Sequence, residues 1–141
     1  MFITNEPQMA ENAERAGIGR IFIDLENQGK RERQKNKDTY ISDHSLKDID
    51  SIRYVIKKIP IMVRINPYSE NSIFEIEECI VRGADILMLP MFSCVDEVDK
   101  IVKIIRGRTK LCLLLETPQA LVRIHDIIKI AGIDEIHIGL N

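Results

Sequence analysis

The sequence predicts an α/β fold in which a parallel sheet is covered by helices, and three observations predict it. Short apolar runs rich in β-branched residues alternate with longer segments of helical character. The strand-like runs are apolar on both faces, as strands buried under helices are. A pattern also recurs three times, in AGIGRIFID, RGADILMLP and AGIDEIHIG: a glycine (Gly17, Gly83, Gly132), a short spacer, then an apolar strand. Gly83 to Gly132 encloses two strand–helix units, about 25 residues each, a tight (β/α) spacing. The longer interval from Gly17 to Gly83 is accounted for by a polar loop.

The elements follow in order. Phe2 to Thr4 is a short apolar start, and Glu11 to Ala16 is helical, ended by Gly17. Arg20 to Leu25 (RIFIDL) is a strand. Residues 27–43 form a long basic loop with no apolar period. A helix follows from Ser45 to Lys58, opened by a capping-box-like Ser45/Asp48 pair and stopped by Pro60. Ile61 to Asn66 is a strand. Ser69 to Arg82 is a helix with Ile73, Ile76 and Ile80 on one face. Asp85 to Pro90 is a strand, Val95 to Arg106 a helix, and Lys110 to Glu116 a strand. Pro118 opens a helix running to about Ala131, because a missing N–H costs nothing in a first turn. Glu135 to Gly139 is the sixth strand. Six strands fit either an open doubly wound sheet or part of an eight-stranded barrel.

Composition removes several function classes. The chain has 141 residues, 45% apolar and 30% charged, which allows one domain. Twenty basic and 22 acidic residues give a net charge of −2, so nothing predicts binding to a nucleic-acid backbone. No apolar run approaches the roughly 18 residues that span a bilayer, and no signal peptide is readable in residues 1–10. Cys79, Cys94 and Cys112 form no close pair, which fits reduced, buried thiols in a cytoplasmic protein. His44, His125 and His137 lack the spacing of a zinc site. His44 reads as a solvated residue at a helix start, His125 as a surface residue, and His137, which alternates with Ile136 and Ile138, as a side chain pointing to the interior of the sheet in a core or supporting role.

The polar residues inside the strands are more informative. Asp24, Glu26, Arg64, Asn66 and Glu116 all fall at or near strand carboxyl ends, where parallel α/β folds bind ligands. Alternation puts Asp24 and Glu26 on one face with Phe22, Arg64 and Asn66 on one face with Met62, and Glu116 on one face with Leu114. A structural ion pair needs one acid and one base, whereas here three acids face one arginine. The excess negative charge predicts a hard divalent cation such as Mg²⁺ or Mn²⁺. The arginine fork suits a substrate carboxylate, and the combination suits an enolate.

The segments IFIDLEN (21–27), VRINPYSE (63–70), GADILMLPMF (83–92), LLLETPQAL (113–121) and IDEIHIGLN (133–141) carry a resemblance. In that order and spacing, the chain resembles the HpcH/HpaI aldolase and citrate lyase β-subunit family. The resemblance implies a partial TIM (β/α)8 barrel with about six of eight parallel strands, residues 1–141 forming a single incomplete domain that ends after the sixth strand. It implies a divalent-metal-dependent carbon–carbon lyase or aldolase acting on a 2-oxoacid, hydroxy acid or acyl-CoA thioester. Arg64 matches the arginine that holds the substrate, and Glu116 a metal ligand whose second partner is expected just beyond Asn141. Asp24 and Glu26 match an acidic pair at the rim, acting catalytically with Arg64. Asn66 and Pro90 join Arg64 in substrate binding. The resemblance further implies a homo-oligomer. Met91 stands where citrate lyase-like members often have lysine, and the paired histidine motif associated with the general base of HpaI-type aldolases is not visible, His44 being its nearest candidate by position. The basic loop is a candidate cover that attracts an anionic substrate. The alternative is a non-catalytic or regulatory relative acting as an interaction protein. A nucleotide-binding fold is the weakest reading, since Gly17-Ile-Gly19 precedes a strand instead of following one.

Overall fold

The computed structural model describes residues 1–27 and 43–139. Among the described residues, six strands alternate with five helices: β1 (Phe2–Ile3), α1 (Pro7–Arg15), β2 (Ile21–Asp24), α2 (Leu46–Val55), β3 (Ile61–Arg64), α3 (Ser72–Val81), β4 (Ile86–Leu89), α4 (Val95–Ile105), β5 (Lys110–Leu115), α5 (Pro118–Ile127) and β6 (Glu135–Ile138). Apart from Asn27 and Asp43, the expected basic loop lies outside the described residues.

All strands are parallel, and each lies beside its sequence neighbour, in the order β1-β2-β3-β4-β5-β6. A doubly wound sheet reverses its strand order at a switch point; this one never does, so the barrel alternative is the one realised. The sheet also curls. Arg20, at the start of β2, donates from Nη1 to Glu135 Oε2 of β6 at 2.6 Å. In a flat sheet those strands would be about 19 Å apart, four spacings of about 4.8 Å. The molecule is therefore a curled half-barrel with helices on its convex side.

Two apolar layers result from strand alternation. Ile21, Ile23, Val63, Leu87, Leu111 and Leu113 point outward and pack under Ile49, Ile52, Ile76, Val98 and Ile101 of the helices. Phe22, Met62, Ile86, Met88, Cys112 and Leu114 point inward and fill the concave side. Burial of these side chains is the main favourable term holding sheet to helices.

The recurring glycine motif has a physical cause. Gly17, Gly83 and Gly132 have φ of 81°, 95° and 102°, a region that costs any residue with a Cβ. After α1 and α3 the glycine closes a Schellman turn: Ile18 N–H bonds Ala13 C=O and Ala84 N–H bonds Cys79 C=O. The aspartates that follow in two repeats act alike. Asp85 Oδ2 accepts from Ile61 N–H and Asp134 Oδ2 from Leu111 N–H, both at 2.8 Å, clamping the neighbouring strand at its amino end.

The structure differs from the sequence reading at several element ends, α5 stopping at Ile127 and not near Ala131, and in the buried face of α3. Helix α1 begins at Pro7, four residues before Glu11, with the proline in its first turn. Helix α2 ends at Val55, well ahead of Pro60, because Glu14 Oε1 collects the N–H groups of Lys57, Lys58 and Ile59 and turns the chain away. In α3 the buried face runs through Ser72, Glu75, Ile76 and Cys79, while Ile73 is 61% exposed. The helix is rotated so that Glu75 can meet Asn66 from β3. Cys79 and Cys112 are buried as expected, but Cys94 is only half-buried at the start of α4. Among the described residues, no helix is long and apolar enough to cross a membrane.

Candidate active site

The carboxyl ends of β2, β3 and β5 bring the predicted charged residues together. Asp24 and Arg64 are register partners on adjacent strands, so their side chains leave the same face side by side. Arg64 Nε donates to Asp24 Oδ1 at 2.8 Å and Nη2 to Asp24 Oδ2 at 2.9 Å, a two-pronged pair. Its Nη1 lies 3.3 Å from Glu26 Oε2. Both acids are buried, and the guanidinium stacks 5.8 Å above the centre of the Phe22 ring. Burial alone would lower the Arg64 pKa. The Asp24 hydrogen bonds and the charges of Asp24, Glu26 and Glu116 outweigh it and hold the pKa above the usual arginine value.

Two guanidinium N–H groups thus bond Asp24, and Nη1 sits within ion-pair distance of Glu26. Among the described residues, three carboxylates, Asp24, Glu26 and Glu116, act on this one arginine.

Glu116, one residue past β5, is held from the β4 side. Pro90 is buried and leads into Met91, whose φ of 52° is unusual for a side chain of its size. That turn aims Met91 N–H at Glu116 Oε1, 3.1 Å away. The next residue, Thr117, donates to Phe92 C=O at 2.7 Å and caps α5 by accepting from Ala120 N–H. Two consecutive residues thus fasten β5 to the segment after Pro90. The other Glu116 oxygen, Oε2, faces Gly139, where an added Cβ would come within 3.2 Å of Glu116 Cβ.

Asn66 is placed differently from Arg64. Its Nδ2 donates to Glu75 Oε1 at 2.7 Å and to Leu25 C=O at 3.3 Å, and its Oδ1 accepts from Asn27 N–H at 3.0 Å. It braces the β2 and β3 ends against α3. Burial raises the Glu75 pKa, with the hydrogen bonds from Asn66 pulling the other way.

His44 corrects the sequence reading. It is buried, not solvated, and its Nδ1 accepts the Asp24 N–H at 3.0 Å. The available signal was Ser45: a helix N-cap right after the β2 loop places its predecessor at the carboxyl end of the sheet. His125 is exposed as expected. His137 aligns with Leu114 on the concave side but is exposed on the edge strand β6.

A cavity of about 410 Å³ lies at the opposite, amino end, among Arg20, Arg53, Lys57, Lys58, Asp85, Lys110 and Glu135. Its two acids already pair with Arg53 and Arg20. Reactive chemistry in parallel barrels belongs to the carboxyl end, where Arg64 and the carboxylates converge.

The carboxylate chemistry at that end fits a hard cation, with Glu116 as the side chain available to it. Asp24 and Glu26 are engaged by Arg64, and no group of three or more His, Cys, Asp or Glu side chains able to hold a metal occurs among the described residues. Mg²⁺ is commonly held by only one or two carboxylates, with water and substrate oxygens completing its shell.

Solved structures share this architecture. Citrate synthase SbnG superposes with a TM-score of 0.76 at 17% identity, over 99% of this chain and 59% of its own. An HpcH/HpaI aldolase from Desulfitobacterium hafniense gives 0.74 at 15% identity, over 99% and 60%. Phosphonopyruvate hydrolase, solved with oxalate and Mg²⁺, gives 0.68 at 18%, over 98% and 56%. The chain thus spans about three-fifths of the length of these relatives. No curated protein matches it in sequence. The sequence profile of the HpcH/HpaI aldolase/citrate lyase family matches residues 1–141, and the chain belongs to that family.

Proposed function

We propose that this rim is the active site of a divalent-metal-dependent carbon–carbon lyase or aldolase acting on a 2-oxoacid, hydroxy acid or acyl-CoA-type substrate. The observation that carries this reading is the Arg64 guanidinium, fixed by Asp24 and Glu26 and close enough to Glu116 to feel its charge. Lyases of this class pass through an enolate, whose negative charge must be stabilised as the carbon–carbon bond breaks. Arg64 orients the substrate carboxylate or carbonyl oxygen. Asp24 and Glu26 keep the guanidinium from swinging, so no reorganisation is needed when charge develops. Glu116 is the proposed metal ligand, Mg²⁺ or Mn²⁺, held in place by Met91 N–H. A bound divalent ion supplies Lewis acidity toward the substrate oxygen. Pro90 sets the turn that presents Met91, and Asn66 acts through the loops it braces.

Oxalate mimics the planar enolate of pyruvate. Calorimetric titration should show oxalate binding that requires Mg²⁺ and weakens sharply in Glu116→Gln. A second reading, a non-catalytic binding relative, is favoured by the absence of a three-ligand cluster among the described residues. That reading predicts no Mg²⁺ dependence at all.

A further inference from the structure

We infer that the amino-end mouth of the half-barrel is a second binding site, for a small molecule that carries two or more phosphate groups. Strand alternation builds it. Phe22, Ile86 and Cys112 belong to the concave layer. Arg20 and Lys110, each two positions before one of them, share that side at the amino end. Glu135 is the register partner of Cys112 and shares it too. The turn between α2 and β3 adds Lys57 and Lys58. Together they border a cavity of about 410 Å³, with Ile59, Pro60 and Ile86 as its apolar wall.

The charges around this cavity do not balance, although the whole chain is slightly acidic. Five basic side chains line it against two acids. Arg20 holds Glu135 through both terminal nitrogens, and Arg53 holds Asp85, which also accepts the Ile61 N–H. Among the described residues, no carboxylate lies within ion-pair distance of Lys57, Lys58 or Lys110. Glu14 feels the Lys58 charge, but its oxygen is turned to the main chain of 57–59. Lys57 Nζ is steadied by Arg53 C=O at 3.1 Å. Three ammonium groups around one cavity repel one another, and an apolar wall concentrates their field. A multivalent oxyanion relieves that repulsion, and lysine is a general phosphate binder. A second cavity of about 430 Å³ shares Asp85 and Lys110, which leaves room for an organic group beyond the phosphates.

None of these residues belongs to the rim of Arg64 and Glu116, so the two sites stand or fall separately. Inorganic pyrophosphate, titrated into the full chain by calorimetry at low ionic strength with a chelator present, should bind more tightly than about 1 mM and weaken as salt is added. Methyl resonances of Ile59 and Ile86 in the wild type should shift on binding, a readout that needs no variant. Lys58→Gln and Lys110→Gln should each weaken binding about fivefold, and adding Lys57→Gln to both should abolish it. All three side chains are exposed, so these variants keep the fold. Lys47→Gln removes the same charge from an exposed position outside the cavity and should leave binding unchanged. ADP binding more tightly than pyrophosphate identifies an organic phosphate that uses the apolar wall; the reverse order identifies a free inorganic one. Absence of pyrophosphate binding, methyl shifts that spare Ile59 and Ile86, or equal weakening by Lys47→Gln overturns the proposal.

Discussion

Arg20 of β2 and Glu135 of β6 meet across the concave side of the sheet, with Nη1–Oε2 at 2.6 Å and Nη2–Oε1 at 3.3 Å. The pair measures the curl that makes a half-barrel out of six strands. It is partly exposed, so it contributes no more than about 1 kcal/mol. Its hydrogen bonds from Arg20 hold the Glu135 pKa below the ordinary carboxylate value. A depressed carboxylate stabilises the fold above its unfolded pKa and loses that contribution as pH falls through the folded value. Arg20→Glu should therefore destabilise, and adding Glu135→Arg should restore part of the loss. A double-mutant cycle by urea unfolding reads the coupling; zero coupling would mean the strands do not meet in solution.

Arg64→Lys keeps the charge and removes the fork. The lysine ammonium cannot reproduce the paired Nε and Nη2 contacts to Asp24. Oxalate affinity should fall tenfold or more, with the circular dichroism spectrum unchanged. Retained affinity would show that the charge alone suffices.

Glu75 carries the opposite pH signature from Glu135. Burial raises its folded pKa, so the native state binds more protons than the unfolded state between the two values. Its penalty grows as pH rises from the ordinary glutamate pKa through the folded one. Glu75→Gln keeps an oxygen to accept from Asn66 N–H and Nδ2. Relative to this variant, the wild type should lose stability as pH is raised toward neutrality. A constant difference across that range would contradict the account.

The thiols should differ in reactivity. Burial pushes the Cys79 thiol up to about 12 and the Cys112 thiol up to about 11, so neither is a thiolate near neutral pH. Cys94 is only half-buried. Alkylation of the native protein near pH 8, read by peptide mass spectrometry, should mark Cys94 first. Early labelling of Cys79 would indicate that α3 opens.

Much of the fold was legible because strand alternation is a strong signal. The six strands match their apolar runs, and the glycine repeat is the backbone's need for positive φ at Gly17, Gly83 and Gly132. Asp24, Arg64 and Glu116 were legible as charges interrupting runs that end at the ligand-binding side of the sheet. What escaped depended on tertiary partners. Ile73 and Ile76 look equivalent by periodicity, yet the bond between Asn66 and Glu75 rotates the helix and exposes Ile73. His44 looks like a solvated residue until its ring is found accepting the Asp24 N–H. The role of Met91 lies in its backbone N–H, which no side-chain pattern reveals.

The central claim is that Glu116 and Arg64 together stabilise an enolate. Exchange of the pyruvate methyl protons in D₂O, followed by proton NMR with Mg²⁺ present, reads enolate formation without requiring the natural substrate. The account predicts protein-dependent exchange that is lost on chelation of the metal and in Glu116→Gln. Exchange that persists unchanged in Glu116→Gln, or no exchange by the wild-type protein, would contradict it.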